Sequence, residues 1–244
     1  MKLMKKSMDF FIQTRDVDQN DRIRAASLID FFQDIAGLHA EELGVGYEVL
    51  KEKNYAWVIL YQRFEIIKMP PYLEYVTITT WPKPKSRLEF EREYLMTSKD
   101  GQPLVQGISN WVVIDLESRG LVRTDKINFN GEYATETNYS EKCKRKLNLD
   151  KTKIKNSFTY VVQLGDLDHN GHMNNARYLN AIYNHMDFYQ TSKYISTVEI
   201  AYIKEARFQD ELTIGHYPID GKEAFIGFVH NEVCFECLIG VKEE

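Results

Sequence analysis

An internal repeat constrains the fold of this chain more than any other feature of its sequence. Residues 16–29 read DVDQNDRIRAASLI and residues 166–179 read DLDHNGHMNNARYL, at an offset of 150 positions. The matched pairs are Asp16 with Asp166, Asp18 with Asp168, Asn20 with Asn170, Ala26 with Ala176 and Leu28 with Tyr178. Because self-similarity at a fixed offset is typical of duplicated units, we expect one structural unit to occur twice.

A second match extends the repeat at an offset of 136. It aligns residues 67–68, 76–78 and 81–82 with residues 203–204, 212–214 and 217–218. The two offsets differ by 14 residues, an insertion that we place in the helical stretch of the first copy, around His39 to Lys53. The sequence therefore predicts an N-terminal domain over residues 1–123, a loop-rich linker over 124–156 and a C-terminal domain over 157–244.

Each copy shows the same order of predicted elements: a strand, a polar Asp/Asn loop, a helix and a run of strands. In the second copy the helix is expected from Asn175 to Tyr189, and the next strand from Ser196 to Glu205. The helix is apolar on nearly all sides, which is typical of a buried helix. The pattern predicts an α+β fold in which an antiparallel sheet wraps around one helix.

Charge and composition exclude several classes of protein. The chain has 244 residues and a net charge of −5, so a global nucleic-acid footprint is not expected. No apolar run approaches the roughly 18 residues that a membrane span needs, and the basic N-terminus is not followed by an apolar signal-peptide segment. Three cysteines, with Cys234 and Cys237 spaced C-x-x-C in a strand-like run, indicate structural thiols in a reducing cytoplasm and no metal site.

The densest polar cluster is the loop of the second copy, residues 166–175, and three interpretations compete for it. A calcium loop would need a bidentate Glu where Arg177 stands, so we exclude it. A turn followed by a helix cap explains Asn174 and Asn175 but not the remaining polar residues. A catalytic loop would use Asp168, Asn170 and His172 beside the partial positive charge of a helix N-terminus.

The third interpretation fits the chemistry of acyl hydrolysis. The imidazole of His172 is suited to act as a general base or a polarising group near neutral pH. The amide of Asn170 is able to orient a water molecule or a carbonyl group without titrating. The carboxylate of Asp168 would either orient this set or attack the carbonyl directly.

The same residues resemble a known family. The run from Asp168 through Gly171, His172 and Asn174 to Tyr178 resembles the D-x-x-G-H-V/M-N-N-x-x-Y pattern of hotdog-fold thioesterases. The segment from Asp166 to Asn175 is more specifically similar to the catalytic loop of the acyl-acyl-carrier-protein (acyl-ACP) thioesterases. Residues 202–206, YIKEA, resemble the Y-R-R-E-C strand motif of that family.

This resemblance implies a tandem (double) hotdog, relatives among the plant fatty acyl-ACP thioesterases, and no cofactor or metal. It also implies the catalytic set Asp168, Asn170, His172 and Glu205. Where the plant members have Cys after the Glu, this chain has Ala206, so a thiol nucleophile is not available there. Hydrolysis would then use water or a carboxylate.

The first copy lacks the predicted catalytic set, since Arg22 aligns with His172 and Met69 with Glu205. It is therefore expected to house the acyl chain. The predicted substrate-binding residues, for which helix capping or ordinary core packing is an equally good explanation, are Asn174, Asn175, Trp57 and Trp81.

The predicted function is hydrolysis of the thioester of fatty acyl-ACP, which releases the free fatty acid and terminates fatty acid synthesis. The alternatives are an acyl-CoA thioesterase and a non-catalytic acyl-binding hotdog module. The expected partners are acidic acyl carrier protein and a fatty acyl chain, with no nucleic acid and no membrane span, for a monomer or a homodimer. The predicted docking residues are Lys142, Lys144, Arg145 and Lys146, although a solvated linker explains them as well.

Overall fold

A computed structural model describes residues 3–139 and 142–243 of the chain. Contacts divide the chain into two compact units, the first being Met1–Ile23 with Asp30–Cys143 and the second Arg24–Ile29 with Lys144–Glu244. Residues 140 and 141 of the predicted linker, and residues 1, 2 and 244 of the predicted domains, lie outside the described residues. Among the described helices, none combines the length and the apolar character that crossing a membrane would require.

The first unit contains an antiparallel sheet with the strand order β1-β3-β4-β5-β2, and a short strand β6 pairs with β5. Its strands are β1 Lys6–Phe11, β2 Tyr55–Ile66, β3 Tyr75–Pro82, β4 Phe90–Ser98, β5 Pro103–Asp115 and β6 Leu121–Val122. The helices of the first copy are α1 Ala25–Glu42 and α2 Tyr47–Glu52. The 14 extra residues of the first copy thus lie in the region of a longer central helix and the additional helix α2.

The second unit repeats this topology. Its elements are β7 Asn156–Val161, α3 Asn175–Tyr183, β8 Lys193–Tyr202, β9 Glu211–Ile219, β10 Lys222–Val229 and β11 Glu232–Glu243. The strands are antiparallel in the order β7-β9-β10-β11-β8, which is the order of the first unit with each strand replaced by its equivalent. The predicted duplication is therefore confirmed at the level of topology.

In each unit an aromatic ring between helix and sheet packs against a strand glycine, whose missing side chain leaves space for the ring. Phe32 of α1 stacks on Tyr94 of β4 at 4.5 Å, and a Cβ on Gly107 of β5 would lie 2.7 Å from the Phe32 ring. In the second unit Tyr178 of α3 packs edge-on against Phe235 of β11 at 5.2 Å, and a Cβ on Gly227 of β10 would overlap the Phe235 ring. Such pairs bury large apolar surfaces between helix and sheet. The predicted α+β hotdog arrangement is confirmed for both units.

Two predicted boundaries in the second unit are wrong, and both errors have local causes. Helix α3 ends at Tyr183 rather than Tyr189, because the chain turns after Asn184 and Phe188 packs back edge-on against Tyr183 at 5.8 Å. Strand β8 ends at Tyr202 rather than Glu205, because the chain bends immediately after it. Glu205 therefore lies beyond the sheet ladder.

The segment between the two predicted domains is exposed over much of its length and is anchored to each unit by hydrogen bonds. In the first unit the fully buried carboxylate of Glu93 accepts hydrogen bonds from Thr137 Oγ1 at 2.5 Å and Asn138 N at 2.6 Å. In the second unit the buried carboxylate of Glu236 accepts three backbone N–H bonds from residues 147–149, at 2.7 to 3.2 Å. Each half of the segment is thus fixed to its own unit by a buried acid.

Candidate active site

The polar loop before α3 is organised by two aspartates. The Asp166 carboxylate accepts bonds from Gln163 N at 2.8 Å and Tyr160 Oη at 2.7 Å. The Asp168 carboxylate accepts from Asn170 N at 2.8 Å and His172 N at 3.2 Å, both through Oδ1. Gly171 has a φ of 76°, the left-handed conformation in which glycine carries no steric penalty. The loop is therefore a fixed turn that presents His172.

The first copy builds the equivalent loop with the equivalent backbone N–H bonds to its two aspartates. Asp18 Oδ1 accepts from Asn20 N at 2.8 Å and from Arg22 N at 3.1 Å. Asp16 accepts from Gln13 N at 2.8 Å, as Asp166 accepts from Gln163. Asp18 makes these bonds in the copy that lacks the His. The equivalent bonds of Asp168 therefore have a structural role, which is to shape the loop, and they do not by themselves indicate a role in catalysis.

Glu205 reaches the loop through a bend that follows β8. The carbonyl of Cys234 accepts from both Ile203 N at 2.8 Å and Lys204 N at 3.0 Å, which interrupts the regular pairing of the strand. The chain then returns alongside the loop, where Ala206 O accepts from Met173 N at 2.8 Å. A backbone bridge between His172 and Arg207 completes this short pairing.

The bend and the loop bring two of the predicted catalytic side chains together. His172 Nε2 lies 3.1 Å from Glu205 Oε2. The imidazole keeps 21% of its surface exposed and the carboxylate 34%, so the pair is open to water and to a small substrate. A carboxylate that accepts from one imidazole nitrogen fixes the orientation of the ring. This arrangement is suited to remove a proton from a water molecule.

The other two predicted catalytic residues lie in the same loop with different exposure. Asn170 is exposed, and its backbone N–H is the group bound to Asp168. Asp168 is half-buried, and its carboxylate faces the backbone of its own loop through the two bonds described above. The structure thus pairs His172 with Glu205 directly, while Asp168 contacts the backbone of His172.

The predicted substrate-binding residues all have hydrogen bonds within the protein. Asn174 caps α3, since its side chain accepts from Ala176 N at 2.9 Å, and the Asn175 carbonyl accepts from Tyr202 Oη at 3.1 Å. In the first unit the indole N–H of Trp57 donates to Val45 O at 2.8 Å, and that of Trp81 donates to Glu136 O at 3.2 Å. Contact with substrate remains a prediction for Asn174, Asn175, Trp57 and Trp81.

The three cysteines are free, and burial disfavours their thiolate forms. Burial raises the pKa of Cys143 and Cys237, and it raises the pKa of Cys234 to about 11. A thiol with a raised pKa stays protonated near neutral pH and is a poor nucleophile. Within residues 3–139 and 142–243, no cluster of His, Cys, Asp and Glu has the composition to hold a metal ion.

Two buried residues at this site were not predicted as functional. Tyr178 Oη accepts from Ala206 N at 3.3 Å, and the Cys234 thiol donates to Lys204 O at 3.0 Å. Both bonds join residues adjacent to Glu205. Tyr178 is the last position of the motif quoted above, which would have been a reason to consider it, whereas no sequence pattern distinguishes Cys234 from other strand residues.

Two family models and several solved structures match this chain over most of its length. The family model described as acyl-ACP thioesterase N-terminal domain matches residues 4–128, and that described as acyl-ACP thioesterase C-terminal domain matches residues 149–236. Among solved structures, an acyl-ACP thioesterase from Bacteroides thetaiotaomicron has a TM-score of 0.83 and 24% identity, and 98% of each chain is covered. The 12:0-ACP thioesterase from Umbellularia californica has a TM-score of 0.84 and 17% identity, covering 99% of this chain and 98% of that one.

Curated relatives match this chain at similarly low sequence identity. Oleoyl-acyl carrier protein thioesterase 2, chloroplastic, from Arabidopsis thaliana is 23% identical over 188 residues, which cover 70% of this chain and 51% of that protein. Palmitoyl-acyl carrier protein thioesterase, chloroplastic, from Gossypium hirsutum is 23% identical over 187 residues, or 71% of this chain and 45% of that protein. The chain spans about half the length of the curated relatives it matches. Since the first of the two family models alone covers more than half of the sequence, the chain belongs to the acyl-ACP thioesterase family.

Proposed function

We propose that this protein hydrolyses the thioester of fatty acyl-ACP and releases the free fatty acid. The observation that supports this most directly is the pair of His172 Nε2 and Glu205 Oε2, 3.1 Å apart, in the second unit of a chain of this family. The pair is half-buried at the start of a helix, where it is reachable by water. The relatives named above are described as acting on acyl carrier protein thioesters, which agrees with this choice of substrate.

In the proposed reaction, the His172–Glu205 pair removes a proton from water as that water attacks the thioester carbonyl. The carbonyl oxygen gains negative charge, the carbon–sulfur bond then breaks, and the sulfur of the carrier leaves as a thiol by taking the proton from the His172–Glu205 pair. The side-chain amide of Asn170, which is exposed in the loop, is able to donate to the developing oxyanion. Ala176 N and Arg177 N are already bound to Asn174, so the helix contributes its dipole rather than these two donors.

We assign Asp168 an orienting role rather than direct attack. Its Oδ1 accepts the N–H groups of Asn170 and His172, which fixes the loop that carries both residues. Asp18 does the same in the first copy, where Arg22 replaces the His. Water is therefore the proposed nucleophile, and Asp168, Asn170, His172 and Glu205 are the proposed catalytic set.

The proposed partner is acyl carrier protein, docking by charge on the exposed side chains of Lys142, Lys144, Arg145 and Lys146. Lys144 Nζ also lies 3.0 Å from the Glu199 carboxylate, which holds this part of the segment against the second unit. A basic surface fixed in position is suited to recognise an acidic protein. We further propose that the reaction takes place in a reducing cytoplasm, where the three free thiols stay unpaired.

The test is a comparison of kcat/KM on acyl-ACP and acyl-CoA with the same acyl chains, from short to long. We expect a preference for acyl-ACP, measured as release of free thiol and of fatty acid. A preference for acyl-CoA would replace the proposed substrate with the CoA thioester. Tight acyl binding without turnover of either substrate would support the alternative of a non-catalytic acyl-binding module.

A further inference from the structure

The two residues that flank Glu205 are each held by a buried side chain from another element. On the C-terminal side, the backbone N–H of Ala206 donates to Tyr178 Oη at 3.3 Å. Tyr178 lies in α3 and only 3% of its surface is exposed. Burial raises the pKa of its phenol well above the usual value, so the hydroxyl is neutral and available as an acceptor.

On the N-terminal side, the thiol of Cys234 in β11 donates to the carbonyl of Lys204 at 3.0 Å. Its sulfur also lies 3.8 Å from Tyr178 Oη, so the two buried side chains touch each other. The raised pKa of Cys234, about 11, keeps the thiol protonated and therefore a donor. Side chains of helix α3 and strand β11 thus form hydrogen bonds with the bend on both sides of Glu205.

The first copy has the same bend but none of these groups. Leu104 O accepts from Ile67 N at 2.8 Å and Lys68 N at 3.1 Å, as Cys234 O accepts from the equivalent residues of the second copy. Leu104 therefore stands where Cys234 stands, and it carries no thiol. In the aligned sequence, Leu28 stands where Tyr178 stands.

The first copy also lacks the carboxylate and the backbone N–H that follow the bend in the second copy. Pro70 replaces Ala206 and has no N–H to donate, and Met69 replaces Glu205. The bend forms in the first copy without a tyrosine hydroxyl or a thiol, so the fold does not need them. They occur only in the copy that places a carboxylate beside a histidine.

We propose that Tyr178 and Cys234 are positioning residues, which hold Glu205 at the distance from His172 that the reaction needs. This inference rests on the proposed function, because it assigns the pair a role in hydrolysis. The hydrogen bonds of both residues described above go to the backbone beside Glu205 and not to the His172–Glu205 pair itself. Their effect would come from fixing the bend, since small displacements of a catalytic group cost large factors in rate.

The test uses variants that remove one hydrogen bond with little change in volume, and a small neutral acyl thioester as substrate. Tyr178→Phe should lower kcat by about tenfold or more and leave KM within about twofold, because substrate binding does not involve the hydroxyl. The matched control is Tyr217→Phe in the same unit. Tyr217 is equally buried and its Oη accepts one backbone N–H, from Asp150 at 2.9 Å, so its loss should leave kcat unchanged.

Cys234 is tested by a second series. Cys234→Ala should lower kcat, whereas Cys234→Ser keeps a donor for Lys204 O and should restore most of it. Cys237→Ala removes the same volume from a buried site in the same strand, and we expect no loss of kcat. Equal kcat for Cys234→Ala, Cys237→Ala and the unmodified protein would overturn the assignment of Cys234.

A structural measurement separates this inference from the proposed function. In a crystal structure of Tyr178→Phe, the distance from His172 Nε2 to Glu205 Oε2 should increase from 3.1 Å, and the Ala206 N–H should exchange faster with solvent. An unchanged distance together with unchanged kcat would overturn the positioning role of Tyr178. If the unmodified protein turned over no thioester, the proposed function would fail, while the distance and exchange measurements would still decide whether Tyr178 holds the bend.

Discussion

The His172 imidazole meets the Glu205 carboxylate at 3.1 Å although the two residues belong to different segments, a turn before α3 and a bend after β8. Backbone pairing brings the segments together, since Met173 N donates to Ala206 O at 2.8 Å. The proximity of the two side chains therefore does not rest on their mutual attraction alone. Main-chain pairing brings the two segments of the second unit together, and the bonds from Tyr178 and Cys234 hold the residues on either side of Glu205.

The first prediction concerns this pair. His172→Ala and Glu205→Gln should each lower kcat by about 10²-fold or more, the usual scale for loss of a general base or of the group that orients it. The chain offers a matched control in His216, whose Nε2 lies 2.5 Å from Glu223 on β9 and β10. His216→Ala removes an imidazole from a similar pair and should keep full kcat. Full activity in His172→Ala would contradict the assignment.

The duplication and the polar loop of the candidate site were predictable from sequence because both show as short contiguous patterns of residues. The offset of 150 relates Asp16 to Asp166, and in the structure each carboxylate accepts from the backbone N–H three residues before it. Apolar periodicity indicated a buried helix after the loop, but it did not show that the chain turns at Asn184. That turn depends on Phe188 packing back on Tyr183, which is a tertiary contact.

The hydrogen bonds that Tyr178 and Cys234 make beside Glu205 were not predictable, for a similar reason. A sequence shows Tyr178 and Cys234 as an aromatic residue in a buried helix and a cysteine in a strand, both of which are ordinary core residues. Their hydrogen bonds to Ala206 and Lys204 exist only because the strand bends there. The bend has a counterpart in the first copy, so internal comparison identifies it once both copies are seen in three dimensions.

The second prediction separates the loop-shaping role of Asp168 from a chemical one. Asp168→Ala and Asp18→Ala each remove a carboxylate that accepts two backbone N–H groups, so both should lower the free energy of unfolding by about 1–2 kcal/mol. Only Asp168→Ala should also lower kcat, because only that loop contains His172. Denaturant unfolding and steady-state kinetics measure the two effects. An inactive Asp168→Ala protein with unchanged stability would instead favour direct attack by the carboxylate.

The third prediction is that no cysteine acts as the nucleophile. A protein with Ser at positions 143, 234 and 237 should keep at least about half of its kcat, since Ser retains a donor at position 234. Because burial raises the thiol pKa at all three positions, thiolate forms are scarce at neutral pH. Between pH 8 and 9, the kcat of the unmodified protein should therefore change with pH in the same way as the kcat of the Ser protein. A folded Ser protein with less than about 1% activity would show that a thiol is required.

The last prediction concerns the docking of acyl carrier protein. Changing Lys142, Arg145 and Lys146 to Glu should raise KM for acyl-ACP by about tenfold at low salt and leave kcat for a small neutral thioester unchanged. Lys144 is left in place because its ammonium group pairs with Glu199, and its loss would disturb the anchored segment. Salt should weaken the effect, since the Debye length is about 8 Å at physiological ionic strength. A control with three exposed lysines of the first unit, Lys53, Lys68 and Lys99, changed to Glu alters net charge by the same amount. If both proteins showed the same KM for acyl-ACP, net charge would explain the effect and the basic segment would not be the docking surface.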